Sequence, residues 1–169
     1  MRLVAASLDP PEGLEAFLLE VGDGEFGFGT DFAPGAETLD DFLQRQLDNA
    51  NGVNMPPGWV RRTTFWLLDN NDAIAGISHL RHELNDVLRR QGGHIGYYVR
   101  PAARGKRLGT SILALTLAEG RKLGIERFLL TVDAENVPSI RVIEGNGGVL
   151  ENEGPHPETG RPYRRYWIG

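Results

Sequence analysis

Hydrophobic residues follow two patterns along this chain, one typical of helices and one typical of strands. Leu14, Phe17 and Leu18 recur at helical spacing, and similar periods occupy three later segments. Short apolar or alternating runs indicate strands. Four helices are predicted: one begins near Leu14, and the other three span 38–49, 107–123 and 136–146. The predicted strands span 2–7, 63–68, 73–80, 94–100, 127–132, 149–152 and 163–168.

The segments between these elements have the composition of loops. Glycines and phenylalanines without a clear period fill 22–34, and 81–92 is a polar connection. A hairpin turn is predicted at 69–72 and a second one around 155–160. Thr38 begins a predicted capping box at the start of the second helix.

The order strand, helix, strand over 94–132 predicts a βαβ unit. Its two strands should be parallel, with a right-handed crossover. The crossover helix has Ile112 on one face and Leu117 almost opposite, so we expect a sheet and a second helix to cover it. Together the elements predict an α/β (α+β) fold in a single domain over 1–169. Its sheet is mixed and largely antiparallel, with a central parallel βαβ unit and flanking helices.

Composition narrows the class of protein. The chain has 169 residues, a net charge of −5 and 40% hydrophobic residues, which are ordinary values for a globular protein. The acidic balance argues against nucleic acid as a partner. Cysteine is absent, which removes disulfides, thiolate metal sites and an acyl-cysteine intermediate, and no metal is expected. No apolar run is long enough for a signal peptide or a membrane span, so we expect a cytoplasmic location and no membrane partner.

The stretch 93–109 is the strongest indication of chemistry. It predicts a strand, a tight turn and a glycine-containing loop that opens a helix. Unpaired N–H groups and the helix dipole favour an anion there, usually phosphate, and Arg104, Lys106 and Arg107 add positive charge. The P-loop pattern fails because Thr110 stands where it requires glycine, and the fingerprint G-x-G-x-x-G is absent.

Two separated motifs resemble the GNAT superfamily of N-acetyltransferases. Residues 104–109, Arg-Gly-Lys-Arg-Leu-Gly, are similar to its signature [RQ]-x-x-G-x-[GA], with Arg107 in place of the middle glycine. Residues 136–148 are similar to its segment N-x-x-[AS]-x-x-[LV]-[YF]-x-x-x-G-F, with Ile143 at the aromatic position. The segment 80–85, ahead of Gly-Gly-His-Ile-Gly, also resembles a bacterial branch of predicted acetyltransferases.

The resemblance implies acetyl-CoA as co-substrate and assigns residues to it. The strand before the loop would bind the pantetheine arm through its backbone, and the loop amides would bind the pyrophosphate. Asn136 and Ser139 stand where the family contacts the pantetheine or the sulfur. Alternatively, Asn136 is a helix cap and Ser139 a helix-surface hydroxyl. The implied cofactor-binding residues are Tyr98, Val99, Arg100, Arg104, Gly105, Lys106, Arg107, Leu108, Gly109, Thr110, Asn136 and Ser139.

Acetyl transfer also needs a neutral amine, and a lysine-like amine costs about 4–5 kcal/mol to deprotonate at pH 7. His94 stands where the family often places a carboxylate, which makes it the first candidate for the general base. The alternative is a histidine whose hydrogen bonds are satisfied at the start of a strand. His82 and Glu83 would line the amine site or face solvent, and Arg81 could hold a carboxylate on an amino-acid-like acceptor.

The family's usual acid is a tyrosine at the position of Ile143. A thiol with a pKa of about 8.5 can leave as thiolate at pH 7 for roughly 2 kcal/mol, so the missing acid slows the step without forbidding it. Ser139, or a water that it holds, is the candidate substitute. A backbone N–H near Tyr98 and Val99 would stabilise the negative charge that develops on the carbonyl oxygen.

These residues predict an acetyl-CoA-dependent N-acetyltransferase that acts directly on the primary amine of a small molecule. Two alternatives stay open. One is a regulatory module that binds acyl-CoA without turnover, and the other is an acetyltransferase for protein amines. The oligomeric state is also open, although dimers are common in the family and the final hairpin offers an edge at which a homodimer could pair.

Overall fold

Seven strands and five α-helices make up the computed structural model, which describes residues 1–169. In chain order the elements are β1 (Arg2–Ala5), α1 (Leu14–Val21), α2 (Leu39–Asn51), β2 (Arg62–Leu68), β3 (Ile74–Arg81), α3 (Asp86–Arg90), β4 (Ile95–Val99), α4 (Leu108–Lys122), β5 (Phe128–Asp133), α5 (Val137–Gly145), β6 (Val149–Pro155) and β7 (Pro162–Ile168). A short 3₁₀ turn, Pro101–Ala103, lies between β4 and α4. None of the helices has the length and apolarity that crossing a bilayer requires.

α3 is the element that the hydrophobic pattern did not predict. The Asn85 side chain caps it by accepting the N–H of Leu88 at 2.8 Å. None of its residues is buried, so it has no apolar face that would leave a helical period in the sequence. The other predicted elements are present with shifted ends, and the capping box between Thr38 and Asp41 is confirmed.

The strands form two antiparallel sheets, with the orders β1-β2-β3-β4 and β5-β7-β6. β2 and β3 lie inside the larger sheet and are buried over most of their length, including the polar residues Thr64, Ser78 and His79. β6 is an outer strand of the smaller sheet, and most of its residues are exposed.

β4 and β5 meet where the two sheets adjoin, but they do not form a ladder. The N–H of His94 donates to the carbonyl of Leu129 at 2.7 Å, and no register pairing follows. Gly93 permits this contact, because its φ is +60° and a Cβ there would lie 2.3 Å from the Leu129 oxygen. The predicted largely antiparallel α/β fold is confirmed. In its βαβ unit, β4 and β5 are in contact at one end, where His94 bonds to Leu129. Beyond that contact the two strands are not paired, which leaves a gap between them.

Helices cover both faces of the larger sheet. α1 and α2 pack on one face, which we call the α1/α2 face. α4 packs on the other face and is itself covered by α5, as its two apolar sides predict. Side chains alternate along β3, so Ile77 and His79 lie on the α1/α2 face, whereas the Ser78 hydroxyl contacts that of Thr116 in α4 at 2.8 Å.

Candidate active site

The predicted phosphate loop ends at α4 with backbone N–H groups that have no partner. Arg107 begins the helix in a left-handed conformation, with φ +59° and no side-chain cap. The N–H groups of Leu108, Gly109 and Thr110 have no acceptor. Two cations of the loop are exposed and have no carboxylate partner: Lys106 and Arg107. The loop therefore presents the donors, the dipole and the charge that a pyrophosphate requires.

The other two arginines of this region are engaged with neighbouring groups. Nε of Arg104 donates to the carbonyl of Val99 at 3.0 Å, and its guanidinium pairs with Glu25 at 3.1 Å. Arg100 pairs with Glu20 of α1. Both arginines thus connect the phosphate loop to α1 and the segment after it, and neither is a free cation.

The edge of β4 that faces β5 carries free backbone groups. The N–H of Arg100 donates to the carbonyl of Ala75 at 3.0 Å. Because such pairs alternate along an antiparallel ladder, Tyr97 and Val99 direct their N–H and C=O groups away from β3 and towards the gap. Of the predicted pantetheine segment, only Val99 turns its backbone towards the gap, while Tyr98 and Arg100 bond to β3. The Val99 carbonyl accepts from Nε of Arg104, so its N–H is the group that stays free.

Asn136 and Ser139 meet at the start of α5. Oδ1 of Asn136 accepts the N–H of Ser139 at 3.2 Å, which is the helix-cap arrangement. The Tyr97 hydroxyl donates to the Ser139 carbonyl at 3.4 Å, which brings a phenol from β4 to this helix. Burial raises the pKa of Tyr97 to about 12, so its hydroxyl stays protonated. Ile143, one turn further on, is buried in the core.

His94 joins β4 to β5. Its ring is buried, and Nδ1 accepts the backbone N–H of Leu129 at 2.9 Å. Because a backbone N–H is always a donor, the neutral ring carries its proton on Nε2 and has no free lone pair. Burial, with the charges of Arg89 and Arg81, lowers the pKa of His94 to about 4. This geometry favours a role in positioning the strands over the general-base hypothesis.

Arg81, His82 and Glu83 do not form one site. Arg81 lies on the α1/α2 face, and its guanidinium donates to the carbonyls of 92–93 at 3.2 and 3.1 Å. Nε2 of His82 contacts the Thr63 hydroxyl at 2.8 Å. Glu83 is exposed and has no ion pair. Of the three, only Arg81 lies on the same face as His79.

A buried chain of hydrogen bonds determines the state of His79, which the sequence analysis did not select. Oε1 of Gln46 accepts from Arg62 at 3.1 Å and from the Thr64 hydroxyl at 2.8 Å, which uses the single proton of Thr64. Thr64 therefore accepts from Nδ1–H of His79 at 3.0 Å, and Nε2 carries a lone pair. That Nε2 is buried without a hydrogen-bond partner. The signal in the sequence that could have indicated His79 was a single histidine within the apolar run 74–80.

Phe28, from the loop 22–34, covers His79. The two rings stack at 5.2 Å with 15° between their planes. Gly96 lies opposite His79 in the β3–β4 ladder, and a Cβ at Gly96 would be 3.4 Å from the Phe28 ring. Burial, reinforced by nearby arginines, holds the pKa of His79 well below its ordinary value. The Gly29 backbone opposes this shift without cancelling it. A buried, neutral imidazole therefore lies beside the middle of β4.

Comparisons with known proteins identify the family. The acetyltransferase (GNAT) family matches residues 36–147. A chimera of spermidine N-acetyltransferase SpeG from Vibrio cholerae with hSSAT has a TM-score of 0.69 at 16% identity, covering 99% of this chain and 96% of that chain. A GNAT acetyltransferase from Streptococcus pneumoniae gives 0.66 at 18%, covering 99% and 97%. The protein yncA from Salmonella typhimurium, solved with its cofactor acetyl-CoA, gives 0.66 at 16%, covering 99% and 92%. No curated protein matches the sequence.

The loop before α4, the gap between β4 and β5 and the start of α5 all lie within the matched residues. Both sequence motifs therefore lie in the part of the chain that matches the family. Since the match covers more than half of the chain, the protein belongs to the GNAT acetyltransferase family. It is an acyltransferase, and acetyl-CoA is its co-substrate.

Proposed function

We propose that this protein transfers the acetyl group of acetyl-CoA directly to the primary amine of a small molecule. The observation that carries the proposal is the gap between β4 and β5, which adjoins the unpaired N–H groups of α4. When bound, acetyl-CoA supplies an acetyl group activated as a thioester. The spermidine acetyltransferases among the structural neighbours act on a small amine, which supports this class of acceptor.

Three parts of the chain would hold acetyl-CoA. The N–H groups of 108–110, with Lys106 and Arg107, would bind the pyrophosphate. The N–H and C=O groups of Tyr97 and the N–H of Val99 would bind the pantetheine arm along the gap. Ser139 would contact it from α5. The rest of the predicted loop, including Gly105, determines the course of the backbone. Arg104 links the Val99 carbonyl to the Glu25 carboxylate, since it donates a hydrogen bond to each.

The α1/α2 face favours a neutral amine. Arg62 and Arg81 lie next to each other in the β2–β3 register, and nearby positive charge disfavours protonation of an amine. With its proton on Nδ1, His79 can accept one amine N–H at Nε2, which is buried without a hydrogen-bond partner. We assign His94 to holding the strands in place, since its ring has no lone pair to offer.

Tyr97 is the candidate donor to the departing thiolate. Its hydroxyl reaches Ser139, on the helix where the family places its tyrosine. With a pKa raised to about 12, the phenol stabilises a thiolate by hydrogen bonding and does not itself ionise. We therefore prefer Tyr97 to the Ser139 hydroxyl for this role.

Calorimetric titration with acetyl-CoA tests the proposal, with ATP and NAD as control ligands. Lys106→Ala should weaken acetyl-CoA binding about 3- to 10-fold, because it removes a charge beside the pyrophosphate. Lys122→Ala is the matched control: Lys122 is paired with Glu119 at the far end of α4, and its loss should leave binding unchanged. No binding of acetyl-CoA would overturn the proposal.

A second candidate is a module that binds acyl-CoA without turnover. It is favoured by Ile143 at the position of the family's acid and by the tautomer of His94, which leaves that ring without a lone pair. Tight acetyl-CoA binding with no release of CoA across a panel of amines would support it. Acetylation of protein amines is less favoured, because Phe28 stacks on the His79 ring and would have to move further to admit a protein segment than to admit a small amine.

The remaining expectations concern the whole protein. We infer that residues 1–169 act as one domain in the cytoplasm. Val149 and Leu150 of the outer strand β6 are 70% and 47% exposed, which suits pairing between copies. One structure of V. cholerae spermidine N-acetyltransferase is a dodecamer. Light scattering would measure whether this chain forms a homodimer or a larger assembly.

A further inference from the structure

Arg81 is a partly buried cation without an anion. Its guanidinium donates only to the two backbone carbonyls of 92–93, and no carboxylate pairs with it. Burial, together with the charge of Arg62, lowers the pKa of Arg81 to about 10, while Asp31 opposes this shift. The other arginines that are partly buried, as Arg81 is, each have a carboxylate partner: Arg45, Arg62, Arg100, Arg164 and Arg165.

The unpaired groups of Arg81 and His79 lie on the same face. The two residues are separated by one position on β3, so their side chains leave the strand on one side about 7 Å apart. Arg81 lacks a negative partner, and Nε2 of His79 lacks a hydrogen-bond donor. Leaving a buried polar atom unsatisfied is unfavourable. A ligand that carries both an anion and an N–H group would satisfy the two residues together.

We propose that the acceptor is an amino acid or a similar amine that carries a carboxylate. This inference rests on the proposed acetyltransferase function. The carboxylate pairs with Arg81, and an N–H of the neutral amine donates to Nε2 of His79. Phe28 moves off the His79 ring to admit the amine, and two left-handed glycines, Gly24 and Gly27, precede Phe28 in the loop that carries it.

A polyamine acceptor fits this face poorly, although several structural neighbours are spermidine acetyltransferases. Arg81 and Arg62 occupy paired positions in the β2–β3 register. The nearby carboxylate of Asp31 is already bound to Arg62 at 2.7 Å. The second cation of a polyamine would therefore meet like charge without a free counterion.

The test compares acceptors that differ only in the carboxylate: lysine with cadaverine, phenylalanine with phenethylamine, and lysine with lysinamide. Release of CoA gives kcat/KM for each. We expect the carboxylate-bearing member to be preferred by roughly 10- to 100-fold, since a site with an unpaired buried cation rejects the analogue that leaves it unpaired. Equal or better reaction of the members without a carboxylate would overturn the proposal.

Variants separate the two contacts. Arg81→Gln can still donate to the backbone carbonyls, and it should erase the preference within each pair, whereas Arg81→Lys should retain most of it. His79→Leu removes the lone pair at similar volume and should raise KM for both members of a pair alike. Arg61→Gln is the matched charge control, because Arg61 is exposed and precedes β2, and it should change nothing.

Equilibrium binding distinguishes failure of this inference from failure of the proposed function. Acetyl-CoA is titrated first, and each acceptor is then titrated into protein saturated with CoA. Absence of acetyl-CoA binding would overturn the proposed function. Normal acetyl-CoA binding with no carboxylate-selective acceptor binding would overturn the acceptor inference alone. Carboxylate-selective binding that Arg81→Gln abolishes would support it even without turnover.

Discussion

At the residue scale, Arg107 is in an unfavourable backbone conformation at the mouth of the phosphate loop. Its φ is +59°, a region that costs a residue with a Cβ about 1 kcal/mol relative to glycine. Arg107→Gly should therefore raise the free energy of unfolding by about 0.5–1 kcal/mol, measured by urea denaturation. Arg107→Ala is the control, because it removes the same charge and keeps the Cβ. Equal stability of the two variants would contradict this account.

His94 makes the folded protein sensitive to acid. Its pKa is lowered to about 4 by burial and nearby arginines, whereas an unfolded histidine titrates near ~6.5. The unfolded state therefore binds a proton first as the pH falls. Stability that is fully present above about pH 6.5 is lost towards pH 4, by up to roughly 3 kcal/mol.

Urea unfolding between pH 7 and pH 4.5 measures this loss, and His94→Asn is the matched variant. The Asn Oδ1 can accept the Leu129 N–H but does not titrate, so the variant should lose less stability over this range. A profile that runs parallel to that of the unmodified protein would rule out His94 as the source. Retained acetyltransferase activity in the same variant would separate a positioning role from that of a general base.

At the scale of elements, the junction of β4 and β5 depends on one glycine. Gly93 has φ +60°, and a Cβ there would lie 2.3 Å from the Leu129 oxygen. Gly93→Ala should lower the free energy of unfolding by more than about 2 kcal/mol and weaken acetyl-CoA binding, because β4 must move from β5.

Gly105→Ala is the matched control for this prediction. Gly105 also has a left-handed φ, +79°, but a Cβ there would meet nothing within 4 Å. It should therefore cost only the conformational penalty of about 1 kcal/mol. Equal losses in the two alanine variants would show that steric contact between the strands is not what the glycine avoids.

At the scale of the whole molecule, acetyl-CoA should hold the larger sheet together with helices α4 and α5. Its proposed contacts come from β4 of one sheet and from α4 and α5, so a ligand bound only by the folded state stabilises all of them together. At a concentration about 100 times Kd it should add roughly 2.7 kcal/mol and raise Tm by several degrees. Thermal unfolding with ATP should show no shift. A shift with ATP as large as that with acetyl-CoA would indicate a site without selectivity for CoA.

The sequence by itself determined most of the elements and the loop that precedes α4. Apolar period, capping residues and glycines act over a few neighbouring positions, so the capping box at Thr38, the hairpin at 69–72 and the loop 104–110 could be predicted locally. The five-residue helix α3 could not, because it buries no side chain.

Only the tertiary structure decided the chemistry of the individual polar residues. The tautomer of His94 is set by Leu129, and that of His79 by Thr64 and Gln46. The charge of Arg81 stays unpaired because the nearby Asp31 is bound to Arg62. Each depends on contacts between residues far apart in the chain. These contacts determine where the protons lie and which groups are buried. Neither can be predicted from a residue's type or from its spacing in the sequence.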